Sequence, residues 1–257
     1  MNNVDFGKTA ADYGRYRAGF PPKLFQRLHD QFGIGMAGQR LLDLGTGTGT
    51  LARGFAKQGA IVTGLDKAVS LMTEAQRLDA EEGVSITYQE GVAEDTGLPT
   101  NSFEVVTAGQ CWHWFDRPQA AAEVWRLLVA GGWLVIAHFD WLPLPGNMVE
   151  AMETLVVQHN PAWHFGGTTG IHAQWLPDVS MAGFKDLETF SFDVDVPYSH
   201  EGWRGRIRAS SGVAASLTPE QVQQFDAEHA AILSERFPEA PLLVPHRVWA
   251  LIARKPL

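Results

Sequence analysis

Residues 40–66 read RLLDLGTGTGTLARGFAKQGAIVTGLD. "RLLDL" is a short apolar strand, and Gly45, Gly47 and Gly49 follow it as a glycine-rich turn. "TLARGFAKQG" has helical spacing and closes on Gly59, and "AIVTGLD" is a second strand ending at Asp66. A strand, turn, helix and strand in this order make a site for a nucleotide-like ligand. The free N–H groups and the dipole of the helix start point out of the turn.

Outward from this unit the same alternation continues. Residues 22–32 (PKLFQRLHDQF) precede it as a helix with a proline suited to its first turn. "AVSLMTEAQRLDAEEG" is a further helix and "SITYQEG" a third strand. "NSFEVVTAG" is a fourth strand, "RPQAAAEVWRLLVAGG" a helix ended by glycine, and "WLVIAHFD" a fifth strand. Apolar strands in strict alternation with helices predict an α/β fold, a parallel sheet covered on both faces. Past residue 140 the rhythm changes. A stretch rich in Trp, Pro and His (141–178) leads to the alternating "FKDLETFSFDVDV", then to a polar helical region. "TPEQVQQFDAEHAAILSERF" begins there with Thr218 and Glu220 placed for a helix start, and "HRVWALIARKP" reads as a last strand.

The chain has 257 residues, a formal net charge of −9 and one cysteine, Cys111. That length can bury one α/β core with a cap. A lone cysteine excludes a disulfide framework and a thiolate zinc cluster. Without a Lys/Arg stripe, nucleic-acid substrates are disfavoured. Without a signal core or a long apolar run, a cytoplasmic protein with no membrane partner is expected.

The glycine turn chooses among nucleotide-like ligands. A dinucleotide fingerprint places glycine where Thr50 stands, and a Walker turn needs a lysine that is absent. Asp43, two residues before Gly45, would repel a pyrophosphate but suits a cation. S-adenosylmethionine (SAM) carries a sulfonium and an α-ammonium. Asp66 is placed to accept hydrogen bonds from ribose hydroxyls, a role that NAD and SAM sites share.

With these residues the chain resembles the class I SAM-dependent methyltransferases that carry a methyltransferase type 11 domain. The resemblance covers about the first 140 residues. "LLDLGTGTGTLA" is similar to their SAM motif and "VTGLD" to their ribose-binding strand end. "GVAEDTGLPTNSFEVVTAGQCWHWF" is similar to the adenine loop and fourth strand, "EVWRLLVAGGWLVI" to the helix and strand that follow, and "VWALIARKP" to an antiparallel last strand. The resemblance implies a Rossmann-like, mostly parallel seven-stranded sheet with helices on both faces. It implies a single domain over 1–257: an N-terminal lid (1–35), a SAM-binding core (36–140), an acceptor-side helical cap (141–245, with a strand near 184–195) and a last strand (246–257). The cofactor would be SAM, the product S-adenosylhomocysteine, and no metal is needed. Asp43, Gly45, Gly47 and Gly49 would hold the methionine end and Asp66 the ribose, with Thr46 and Lys67 also on the cofactor. Ala93 and Glu94 would hold the adenine, Val92 standing where many relatives carry Asp, and Gln110 would offer a backbone carbonyl to the ammonium.

The acceptor is expected beyond the carboxyl ends of the strands. "GQCWHWFD" lacks the Asn/Asp-Pro-Pro-aromatic sequence of adenine-N6 and glutamine methyltransferases, and resembles the small-molecule, trans-aconitate methyltransferase-like branch. In that resemblance "YGRYRAGFPP" is a lid with Tyr13 and Arg17 one helical turn apart. Trp112, Trp114 and Arg204 join Tyr13 and Arg17 on the acceptor side. His113 is either a general base or a hydrogen-bonded histidine that places the two tryptophans. Arg204, Arg206 and Arg208 form the cap's one basic cluster, which is either a carboxylate site or a solvated face paired with acidic residues. The histidines from His159 to His172 match no tight metal-ligand spacing. The expected chemistry is methyl transfer to an O, N or C atom of a small molecule, a carboxylic acid being one class. The alternatives are an NAD(P)-binding oxidoreductase and a non-catalytic SAM-binding module.

Overall fold

A computed structural model describes Tyr16 and residues 18–257. Two compact units divide them. The first comprises Gly19–Phe139, His172–Phe192 and Val248–Leu257, and the second Asp140–Ile171, Asp193–Arg247 and the described residues of Met1–Ala18. Residues 172–192, within the range expected for the cap, belong to the first unit. Much of the expected lid also lies in that unit, as the helix α1 (Pro22–Phe32).

The first unit follows the alternation of the sequence. Strand β1 (Arg40–Leu44) leads to α2 (Thr50–Lys57), then β2 (Ile61–Asp66), α3 (Val69–Glu82), β3 (Thr87–Glu90) and β4 (Phe103–Gly109). Helix α4 (Arg117–Leu127) and strand β5 (Leu128–Trp141) come next. After α5 (Met148–His159) and the short α6 (Leu176–Met181) run β6 (Lys185–Tyr198), α7 (His200–Arg208), α8 (Pro219–Arg236) and β7 (Leu242–Arg254). The seven strands form one sheet in the order β3-β2-β1-β4-β5-β7-β6. The β1–β2, β1–β4, β2–β3 and β4–β5 pairs are parallel. This is the mostly parallel, helix-covered sheet expected of a Rossmann-like methyltransferase. Lys255 exchanges backbone hydrogen bonds with Gly131 and Gly132 in the reciprocal pattern of an antiparallel pair.

Local chemistry accounts for most boundaries. Helix α1 starts on Pro22 and stops on Gly33 at φ 64. Helix α4 is capped by Asp116, whose side chain accepts the Gln119 N–H. Helix α8 opens with a reciprocal capping box between Thr218 and Gln221. One boundary departs from the sequence reading: α4 ends at Leu127 and not at the Gly131–Gly132 pair. Leu128 turns extended and pairs with Phe103 of β4, with a register irregularity before Val105. Here the sheet's demand for a buried partner outweighs a helical pattern that would have continued. The last strand likewise begins earlier than expected, at Leu242.

The core of the first unit gathers Leu42, Leu44, Val106, Trp112, Val124, Ile136 and Leu251. The second unit has its own core of Met152, Val156, Trp203, Ile207, Phe225 and Val244. Segment 200–208 is a helix, which puts Arg204 and Arg208 on one face. Among the described residues no helix is long and apolar enough to cross a membrane.

Candidate functional site

The carboxyl ends of β1, β2 and β4 carry the predicted residues of the first unit. The glycine turn passes from β1 to α2 with Gly45, Gly47 and Gly49 all at positive φ. Two of these glycines are needed for space as well as for conformation. A Cβ on Gly45 would lie 2.9 Å from the Cys111 side chain, and one on Gly49 would lie 2.6 Å from the Tyr88 hydroxyl. Cys111 is buried, with its thiol against the Leu44 carbonyl at 3.1 Å, a small filler beneath the turn.

Asp66 holds the turn from the neighbouring strand. One carboxylate oxygen accepts the Gly47 N–H and the other the Ala68 N–H, each at 2.8 Å. Each oxygen keeps further acceptor capacity for a ligand hydroxyl. Lys67, next in the chain, is exposed, and Thr46 is buried with its N–H bonded to Leu65.

Asp43 lies deeper, 1% exposed, and accepts the Thr107 hydroxyl at 2.6 Å. Burial pushes its carboxyl up to about 6, aided by the nearby Asp66 charge and opposed by the Thr107 hydrogen bond. Its influence on a ligand is therefore electrostatic, through a charge held out of water that favours a cation near the turn.

The sequence reading missed a second support. The buried Arg53 of α2 donates to the Thr48 carbonyl of the turn and to Asp79 of α3, each at 2.8 Å. Tyr88 of β3 donates to the other Asp79 oxygen at 2.8 Å. The signal was a charged residue on the apolar face of α2, legible as an oddity but without its partner.

In the loop after β3, Ala93 is buried and Glu94 accepts the Asp116 N–H at 2.7 Å, tying this loop to the start of α4. Gln110 follows the end of β4 at φ 57, its N–H bonded to the Ala137 carbonyl and its side-chain amide donating to the Phe139 carbonyl. The left-handed turn at Gln110 redirects the chain away from the sheet.

The acceptor-side expectations fare unevenly. Trp112 is fully buried in the first unit's core, and its indole N–H donates to Asp178 at 3.1 Å. It lines no surface open to a ligand, which corrects the sequence reading: an indole with a buried acceptor serves as a packing anchor. Trp114 is 43% exposed, and its ring lies 4.7 Å from the half-buried His113 ring. His113 also lies 6.0 Å from the ring of His138, a residue near the end of β5 that the sequence reading passed over as part of an apolar strand. His138 is buried, accepts the Trp175 indole N–H at Nε2 (3.1 Å) and stacks on His172 at 3.7 Å. Tyr13 and Arg17 lie outside the described residues.

Arg204 belongs to the second unit and is committed there. It pairs with Asp226, and Arg208 donates to the same carboxylate at 2.7 Å and to Glu201 at 2.7 Å. The two arginines that share a face of α7 thus serve α7–α8 packing, which is the paired alternative of the sequence reading.

Residues 42–136 match the family model described as a methyltransferase domain. Among curated proteins the chain is 33% identical over 130 residues to an uncharacterized methyltransferase of Mycobacterium tuberculosis, covering 51% of this chain and 50% of that protein. The chain thus spans about half the length of its mycobacterial relatives. It is 28% identical over 191 residues to a ubiquinone/menaquinone biosynthesis C-methyltransferase of Dinoroseobacter shibae, covering 65% of this chain and 75% of that protein. Among solved structures, a Haemonchus contortus phosphoethanolamine N-methyltransferase in complex with phosphomonomethylethanolamine and S-adenosylhomocysteine superposes with a TM-score of 0.57 at 19% identity. It covers 100% of this chain and 59% of that one.

Proposed function

We propose that the chain, whose residues 42–136 match a methyltransferase domain, transfers a methyl group from SAM to an O, N or C atom of a small-molecule acceptor, a carboxylic acid being one class. The observation that carries the reading is Asp66. Its carboxylate is fixed at the end of β2 by the Gly47 and Ala68 N–H groups, beside a glycine turn stripped of side chains. That donor set fits SAM. Asp66 would take the ribose hydroxyls, and the turn from Gly45 to Gly49, with Thr46, the methionine end. Lys67 would flank the ribose, Ala93 and Glu94 the adenine, and the Gln110 carbonyl the ammonium. Asp43 supplies a buried negative potential that suits a cation and disfavours a pyrophosphate.

Bound SAM supplies an electrophilic sulfonium methyl, whose loss to the acceptor leaves S-adenosylhomocysteine. The chain's own part is to position the acceptor in line with that methyl and to keep water away. His113 would take the acceptor's proton when that atom is a hydroxyl or an amine, or else would hold Trp114 in place. Trp114, exposed beside it, offers a flat apolar surface to the acceptor, with Tyr13 and Arg17 as further acceptor contacts.

Calorimetric titration with S-adenosylhomocysteine tests the reading. Wild-type protein is expected to bind it, and Asp66→Ala to lose at least about tenfold in affinity, since a charge-assisted hydrogen bond contributes about 1.5–3 kcal/mol. Absence of binding by the folded wild-type protein refutes it.

A further inference from the structure

Helix α7 carries a third arginine whose situation differs from its neighbours'. The Arg206 guanidinium lies over the Trp141 ring at 4.8 Å, and among the described residues it makes no hydrogen bond and no ion pair. The ionisable groups whose fields reach it are Tyr198 and Asp140, and burial pulls its pKa below the ordinary value. Arg206 is half-buried, and a guanidinium carries five N–H donors and stays charged at any physiological pH, so it is a ready partner for a carboxylate or phosphate. Arg204 and Arg208, two residues to either side, both have carboxylate partners.

A second, independent orphan stands one turn away. Trp203 is fully buried, and its indole N–H has no hydrogen-bond partner. Its ring meets Trp141 edge-on at 5.7 Å and Tyr198 at 5.3 Å. Buried indole N–H groups are nearly always paired, because an unsatisfied one loses its water without replacement. Arg206 and Trp203 are three residues apart on α7, so they project from adjacent positions of the helix surface. Both are donors only, and both touch the same tryptophan. Trp141 is itself fixed, its indole N–H donating to the buried Glu153 at 2.9 Å. The helix is packed closely here, since a Cβ on Gly205 would lie 2.4 Å from the Tyr16 ring.

We infer that Arg206 and Trp203 form an anion subsite that takes the carboxylate of a ligand whose flat apolar body lies against the Trp141 and Tyr198 rings. The missing partners of the two side chains are acceptor oxygens, and a carboxylate supplies two of them with the charge that Arg206 lacks. The aromatic walls supply contact area for the rest of the ligand. Calling that ligand the methyl acceptor rests on the proposed methyltransferase function; the anion subsite itself does not. It moves the acceptor-binding role within the basic segment from Arg204 to Arg206.

The test is calorimetric titration with benzoate, its uncharged isostere benzamide, and phenyl phosphate, each with and without S-adenosylhomocysteine. Wild-type protein is expected to bind benzoate at least about tenfold more tightly than benzamide, as a charge-assisted pair requires. Arg206→Met is expected to lose at least tenfold for benzoate and little for benzamide, and Trp203→Phe to lose less. Arg206→Lys, which keeps the charge but not the fork, is expected to fall between wild type and Arg206→Met. Thermal unfolding of each variant separates lost binding from lost folding. Arg206→Met should melt close to wild type, because it removes a half-buried charge without a carboxylate partner and keeps an apolar stem against Trp141. Equal benzoate affinity in wild type and Arg206→Met overturns the subsite, as does no benzoate binding by wild-type protein that binds S-adenosylhomocysteine. Phenyl phosphate bound more tightly than benzoate, through Arg206, overturns the carboxylate assignment. Arg206-dependent benzoate binding by protein that ignores S-adenosylhomocysteine leaves the subsite standing and refutes the methyltransferase reading.

Discussion

Replacing Asp43 by asparagine tests whether the turn is built over a buried charge. The Asp43 carboxyl is raised from an ordinary 3.8 to about 6, burial being the largest cause. The folded protein therefore holds this proton more tightly than the unfolded chain does. The carboxyl's contribution to stability is full below about pH 4 and is lost as the pH rises through about 6. The rise corresponds to about 3 kcal/mol at neutral pH, as one pH unit of displacement is about 1.4 kcal/mol. The asparagine side chain keeps an acceptor oxygen for Thr107 and carries no charge. The stability of the variant relative to wild type should thus grow by about 3 kcal/mol between about pH 4 and pH 8, or about 6–12 °C in melting temperature for a chain of this size. The assay is thermal unfolding of both proteins across that range, read as the difference, so that other titrating groups cancel. The same variant should bind S-adenosylhomocysteine more weakly at neutral pH, because the field that favours the ligand's ammonium is gone. A stability difference that does not change between about pH 4 and pH 8 would falsify the idea of a buried carboxylate charged there.

His229→Leu should stabilise the second unit. Both ring nitrogens of this buried histidine lack partners, and removing them is worth about 1–2 kcal/mol. Burial lowers its pKa from 6.5 to about 4, so wild type loses stability as the pH falls from about 6.5 towards 4. The variant's advantage should widen by up to about 3 kcal/mol over that window. Melting curves at several pH values check this, and an advantage that shrinks on acidification goes against it. Gly54→Ala should cost about 1–3 kcal/mol or more by overpacking. The new Cβ would sit 2.0 Å from the Phe25 ring, which is held edge-on against Phe55 at 5.1 Å. Chemical unfolding measures that cost, and a wild-type midpoint would show that the contact of α1 with α2 is loose.

The sequence by itself determined the first unit's order of elements and the place of its glycine turn. Periodicity and punctuation are local properties, and Pro22, Gly33 and Asp116 act on neighbours a few residues away. The glycines of the turn were legible for the same reason: positive φ excludes most side chains, whatever lies around them. Asp66 was legible because its position at a strand end fixes its partners in the adjoining turn.

Only the tertiary structure decided what depends on distant partners. Strand β5 takes Leu128 from the end of a helical pattern because Phe103 offers a buried pairing partner. Trp112 turns inward because Asp178, far along the chain, receives its N–H. Arg204, Arg206 and Arg208 are alike in sequence, spaced evenly along nine residues of helix. Asp226 on α8 engages the first and the last, and leaves Arg206 against Trp141 without a carboxylate partner among the described residues. Charge type is written in the sequence, but whether a charge is paired depends on which carboxylate the fold brings within about 4 Å, because the attraction between two charges falls with their separation.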